Sequence, residues 1–80
     1  MGNRLTVIGL MVNDRSDSAP KVQEIITRHG TDILCRMGVP TQDKENGLIT
    51  LVMDGPDASI QGLINDLQAT QDVTVRTMSF

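Results

Sequence analysis

Two side chains in this sequence carry reactive chemistry: Cys35, the only cysteine, and His29, the only histidine. A thiolate and an imidazole can share a metal ion, or the imidazole can take the thiol proton and create a nucleophile. One cysteine with one histidine falls short of the four ligands of a structural zinc site, and a single cysteine forms no internal disulfide. Cys35 sits in an alternating apolar stretch and His29 ends a helical pattern. The plainer reading makes Cys35 a small core residue on the helix-facing side of a strand and His29 part of a helix's last turn. We expect no catalytic residue, no metal and no cofactor.

Binding is the other chemistry on offer. The segment Asn13-Asp14-Arg15-Ser16-Asp17-Ser18 leads from an apolar run into a helical pattern. Free backbone N–H groups at such a junction can hold an anion or a carboxylate. A polar connection with Ser18 as helix N-cap and Pro20 in the first turn explains the same residues structurally. No glycine-rich phosphate loop or EF-hand spacing is present. Arg36 and Arg76 stand at matching places in the two halves of the chain. They suit an anionic ligand or an intersubunit ion pair, or serve as edge charges that discourage open-ended sheet pairing. The candidate ligand residues are therefore Asn13, Asp14, Arg15, Ser16, Ser18, Arg36 and Arg76.

The elements that must position these groups follow from apolar periodicity. Residues 4–12 and Leu48–Met53 are apolar at almost every position, as strands covered on both faces are. Val22, Ile25, Ile26 and His29 recur at helical spacing, and so do Ile60, Leu63, Ile64 and Leu67. Gly30 stands where a helix C-terminal glycine belongs, and Asp57 where the second helix would be capped. Asp32–Val39 alternates, with Ile33, Cys35, Met37 and Val39 on one side, as an edge strand does. Asp72–Phe80 reads as a last strand with Val73, Val75 and Thr77 sharing a side. The halves echo each other: Val22, Ile25 and Ile26 correspond to Ile60, Leu63 and Ile64, and Asp32-Ile33 with Arg36 to Asp72-Val73 with Arg76.

Right-handed crossovers in two βαβ halves put the first and third strands at the centre. These are the two continuously apolar ones. The expected fold is an α+β, ferredoxin-like βαββαβ sandwich: a four-stranded antiparallel sheet, order 4132, with two helices on one face. It forms one domain over residues 1–80. The other sheet face stays uncovered although the central strands are apolar on both sides: Leu5, Val7 and Met11 oppose Ile8, Leu10 and Val12, and Leu48 and Val52 oppose Ile49, Leu51 and Met53. An apolar patch of that size marks an interaction surface.

Composition narrows the partners. Seven basic residues against ten acidic ones give a net charge of −3, and binding to a phosphate backbone needs clustered cations. Neither nucleic acid nor an anionic membrane is an expected partner. No run reaches the ~18–20 apolar residues of a bilayer span, and no cleavage site follows the short apolar run 5–12. The expected location is the cytoplasm. Eighty residues bury only about 60–65% of their unfolded surface, so a second copy would complete the core.

Two stretches carry a family resemblance. Val12-Asn13-Asp14-Arg15, followed by a helix and Thr31-Asp32-Ile33-Leu34-Cys35-Arg36-Met37-Gly38-Val39-Pro40, resembles the iron-only hydrogenase system regulators. The sharper part is Ile33-Leu34-x-Arg36-Met37-Gly38-Val39-Pro40. Leu63 and Leu67, with Asp72-Val73-x-Val75-Arg76-Thr77, are similar to that family's C-terminal half, so the likeness runs from about Leu5 to Thr77. It implies a domain related to ACT domains and to the C-terminal domain of nickel-responsive repressors, relatives that oligomerise and bind small effectors. Two departures matter. Arg15-Ser16-Asp17-Ser18 holds no glycine, against amino-acid binding in the ACT manner. One histidine on a helix does not make a square-planar nickel site.

The expected function is a non-catalytic regulatory or sensor module that works as a homo-oligomer, dimer or tetramer, with a small-molecule effector or a protein partner. The alternative is a structural adaptor that docks on a larger protein through its open sheet face.

Overall fold

Apolar β-branched runs become the two central strands, and amphipathic segments become helices laid across one of their faces. The computed structural model describes residues 3–13, 15–43 and 45–80. The elements are β1 (Arg4–Val12), α1 (Arg15–Arg28), β2 (Ile33–Pro40), β3 (Gly47–Gly55), α2 (Asp57–Gln68) and β4 (Val73–Ser79), with a 3₁₀ turn at Gly30–Asp32 before β2. The sheet order is β2-β3-β1-β4, and every pairing is antiparallel. This is the expected βαββαβ fold and strand order.

The core lies between the sheet and the helices. Ile8, Leu10 and Leu51 are fully buried beneath Val22, Leu63 and Leu67, and Val12, Met53, Ile25 and Ile26 are nearly so. Fully burying one such side chain stabilises the fold by roughly 1.5–3 kcal/mol. The packing is aliphatic because no buried aromatic is available. One polar side chain enters it from β1: Thr6 is buried, and its Oγ1 shares a 3.2 Å hydrogen bond with Ser79 Oγ. Among the described residues no buried side-chain N or O lacks a partner. The helices are also pinned to each other: His29 Nε2 lies 2.9 Å from Asp66 Oδ2, with Arg28 Nη1 at 3.8 Å from the same oxygen.

Four local expectations need correction. First, α1 begins at Arg15, so Ser18 is its fourth residue and not its cap, and Pro20 lies inside the helix. Second, Gly30 does not take a left-handed conformation, because α1 tightens into the 3₁₀ turn instead. Third, Pro56 caps α2, and Asp57 is its first residue, paired at 3.3 Å with Arg4.

The fourth correction reaches furthest. Ile33 pairs with Met53 but Cys35 with Val52, so the register slips at Leu34. Such a bulge reverses the facing of every residue after it. Cys35 is therefore exposed, on the face away from the helices, instead of lying in the core. Arg36 takes the helix side, where its guanidinium donates to Gln23 Oε1 on α1.

The β2–β3 loop is closed by Thr41 N–H donating to the Asn46 carbonyl at 3.0 Å. Within it, the Thr41 hydroxyl at 2.6 Å and the Glu45 N–H at 3.0 Å donate to Asp43. These bonds, the hydroxyl's first, hold the Asp43 carboxyl below its ordinary pKa. Their contribution is present above the ordinary carboxylate range and is lost as pH falls through the lowered value. Among the described residues no helix is long and apolar enough to cross a membrane.

Two glycines test the packing in opposite directions. A Cβ at Gly55 would stand 2.8–2.9 Å from the Asp32 side chain, whereas one at Gly62 within α2 would meet His29 Cε1 at an ordinary 3.7 Å. Gly55→Ala is expected to destabilise by about 1–3 kcal/mol through overpacking. Gly62→Ala is expected to stabilise by about 0.5–1 kcal/mol through helix propensity. Urea unfolding followed by circular dichroism at fixed protein concentration checks both signs.

Candidate functional site

The junction between β1 and α1 is fixed by two hydrogen bonds to the turn that enters β4. Asn13 N–H donates to the Asp72 carbonyl at 2.9 Å, and Ser18 Oγ to the Gln71 carbonyl at 3.1 Å. Asp72 has φ of 65°, a left-handed conformation that aspartate tolerates better than most residues. Ser18 is 6% exposed, so its hydroxyl is committed to structure. Asp14 lies outside the described residues, as do the side chains of Arg15 and Ser16. Beside the junction a groove of about 540 Å³ runs between α1 and the end of α2, lined by Ser18, Lys21, Arg28, Asp66, Gln71 and Asp72 among others.

Arg36 and Arg76 are not brought together. They lie on strands at opposite edges of the sheet and on opposite faces: Arg36 pairs across from buried Leu51, Arg76 across from Gly9. Arg76 Nη1 donates to the carbonyl of Val75 at 3.0 Å. Cys35 and His29 are turned to different surroundings, Cys35 to the open face and His29 toward Asp66 of α2. Among the described residues no three histidine, cysteine, aspartate or glutamate side chains converge as a metal site would need.

The open sheet face is the most distinctive surface of the molecule. Registers place on it Leu5, Val7, Gly9 and Met11 from β1, and Leu48, Thr50, Val52 and Asp54 from β3. To these β2 adds Cys35, Met37 and Val39, and β4 adds Thr74, Arg76 and Met78. Phe80 joins them, since its N–H donates to the Leu5 carbonyl at 2.9 Å and continues the alternation of β4. Leu5, Met37, Val39, Leu48, Met78 and Phe80 are 43–76% exposed, and among the described residues Leu34 is the only other large hydrophobic so exposed. The exposed apolar side chains are thus gathered on one face and not scattered. Scattered singly they would need no explanation; together they form a contiguous apolar patch.

The sequence pattern showed the β1 and β3 parts of this face. It missed the β2 part, because nothing in Ile33-Leu34-Cys35 announces the bulge. It also passed over Asp54, whose place among the apolar residues follows only from the register opposite Leu5.

A family model described as TM1266-like, "Iron-only hydrogenase system regulator, putative", matches residues 4–77. No curated protein matches the chain in sequence. Among solved structures, the uncharacterised protein TM1266 from Thermotoga maritima is similar with TM-score 0.92 and 27% identity, over 98% of both chains. The ACT domain from GTP pyrophosphokinase of Chlorobium tepidum has TM-score 0.78 and 17% identity, over 95% of this chain and 99% of that one. The C-terminal domain of the MgtC protein from Mycobacterium tuberculosis has TM-score 0.73 and 14% identity, over 99% of this chain and 89% of that one. The last two likenesses concern the fold alone. With its ACT-like fold and a family match over nearly its whole length, this chain belongs to the TM1266-like family of iron-only hydrogenase system regulators.

Proposed function

We propose that this chain is a non-catalytic regulatory module whose working form is a homo-oligomer assembled through the open sheet face. The single observation that carries the reading is the gathering of exposed apolar residues opposite the helices. A magnitude makes it reasonable. Association costs some 4–15 kcal/mol in lost freedom, and six large apolar side chains that go from half-exposed to buried return roughly 1 kcal/mol or more each. The half-buried Val7, Met11 and Val52 add to that. Self-association is therefore within reach of this face without any further contact.

A regulatory role is supported by what the family is described as. Similar folds are the ACT domain from a GTP pyrophosphokinase and the C-terminal domain of an MgtC protein, which places the same architecture within larger proteins. A non-catalytic reading is supported by the geometry of the two reactive side chains. A base must come within hydrogen-bond reach of the proton that it takes, whereas Cys35 faces away from the helices and the His29 ring is engaged by Asp66. A small effector has the groove beside the β1–α1 junction as its natural seat. Lys21 and Arg28 line it together with Asp66 and Asp72, so the seat favours a ligand with both polar and charged groups.

Native mass spectrometry of the purified protein at micromolar concentration tests the assembly. A dimer or tetramer is expected. Val52→Asp, which puts a carboxylate in the middle of the face, should raise the dissociation constant by roughly a hundredfold or more while leaving the helical circular dichroism intact. A wild type that stays monomeric at tens of micromolar overturns the proposal; if it then assembles only on a larger protein, the face is an adaptor surface.

A further inference from the structure

The open face carries two charges amid its apolar residues. Arg76 lies on β4 opposite Gly9, and Asp54 lies on β3 opposite Leu5. Both are exposed, and neither has an ion-pair partner among the described residues. Gly9 leaves the middle of β1 without a side chain, so Arg76 has open space above the central strand. Four residues along the strand and two strands across separate the two charges, about 17 Å by standard sheet spacings. An arginine and an aspartate side chain together cannot close that gap within one chain. Once the face is covered, each charge needs a partner, because a charge buried alone is strongly unfavourable.

We propose that Arg76 of one copy pairs with the partner's Asp54 across a twofold interface between open faces, and that this double pair sets the orientation of the two sheets. The proposal rests on the open-face reading above and makes it specific. In a twofold interface, if one residue meets another, the reverse contact is made as well, so one rotation satisfies both arginines and both aspartates. For two sheets placed face to face, the axis lies between them. It must pass over the midpoint of the Arg76–Asp54 diagonal. The registers put that midpoint at Val7 on β1, between Val52 of β3 and Met78 of β4. The axis demanded by charge thus crosses the middle of the apolar patch.

The two requirements were independent, and a single geometry meets both. It also brings the strands of the two copies across each other at a steep angle, as in orthogonal sheet packing. Four strands of seven to nine residues present on the order of 500 Å² per copy, so the pair covers on the order of 1,000 Å², the threshold of a specific interface. A second copy is the partner this face fits, since the face supplies its own complement in charge about an axis that crosses its apolar middle.

Charge reversal tests the pairing. Arg76→Asp and Asp54→Arg are each expected to weaken self-association tenfold or more, by setting like charges against each other. An equimolar mixture of the two variants is expected to form heterodimers at the wild-type dissociation constant, since every contact in the mixed pair is again between opposite charges. Native mass spectrometry resolves the mixed species, and sedimentation gives its affinity. Single variants that associate like the wild type, or a mixture without preference for the heterodimer, overturn the pairing while leaving the open-face assembly standing. A monomeric wild type removes the assembly itself, and the pairing with it.

Discussion

Everything in this molecule depends on a constraint of handedness: both crossover helices must lie on the same side of the sheet. A right-handed β–α–β connection puts its helix on a fixed side, and two such units interleaved in one antiparallel sheet put both helices together. Among the described residues no third element covers the other side. Fold and function are therefore linked before any site is considered. The helix-covered face supplies stability through Ile8, Leu10, Leu51 and the side chains above them, and the other face leaves its apolar side chains bare.

The bulge in β2 sharpens this division. Without the extra residue at Leu34, the open face would receive Leu34, Arg36 and Gly38. With it, the face receives Cys35, Met37 and Val39, and Arg36 moves to the helix side to meet Gln23. One irregular residue thus replaces a leucine, a charge and a gap with three apolar side chains. Bulges commonly re-aim an edge strand in this way. Here the re-aiming extends the apolar patch to the edge of the sheet, where edge strands more often carry charges.

The architecture was legible in the sequence because hydrophobic pattern and topology agree. The unbroken apolar runs at β1 and β3 fall on the central strands, and the helical spacing of Val22, Ile25 and Ile26 and of Ile60, Leu63 and Leu67 marks the buried faces. What could not be read was anything set by a single residue's backbone. Ser18 has the chemistry of a cap, but α1 runs upstream of it, and its hydroxyl serves the Gln71 carbonyl instead. Arg36 and Arg76 match in sequence position, yet the bulge lies between Ile33 and Cys35 alone, and the two arginines end on opposite faces. Asp54 lies just beyond the apolar run Leu48–Met53; it is the last outward residue of β3. Of the candidate ligand residues, Asn13 and Ser18 meet the same turn, while Arg36 and Arg76 stand apart from it.

The central claim is that the bare face is covered in the working protein. Oxidative footprinting of Met37 and Met78, read by mass spectrometry over a dilution series, tests it most directly, since both thioethers are more than half exposed in the single chain. Covered, they should be protected at high concentration and become reactive together on dilution, with Met53 in the core slow throughout. Oxidation of Met37 and Met78 at one fast rate at every concentration would contradict the account.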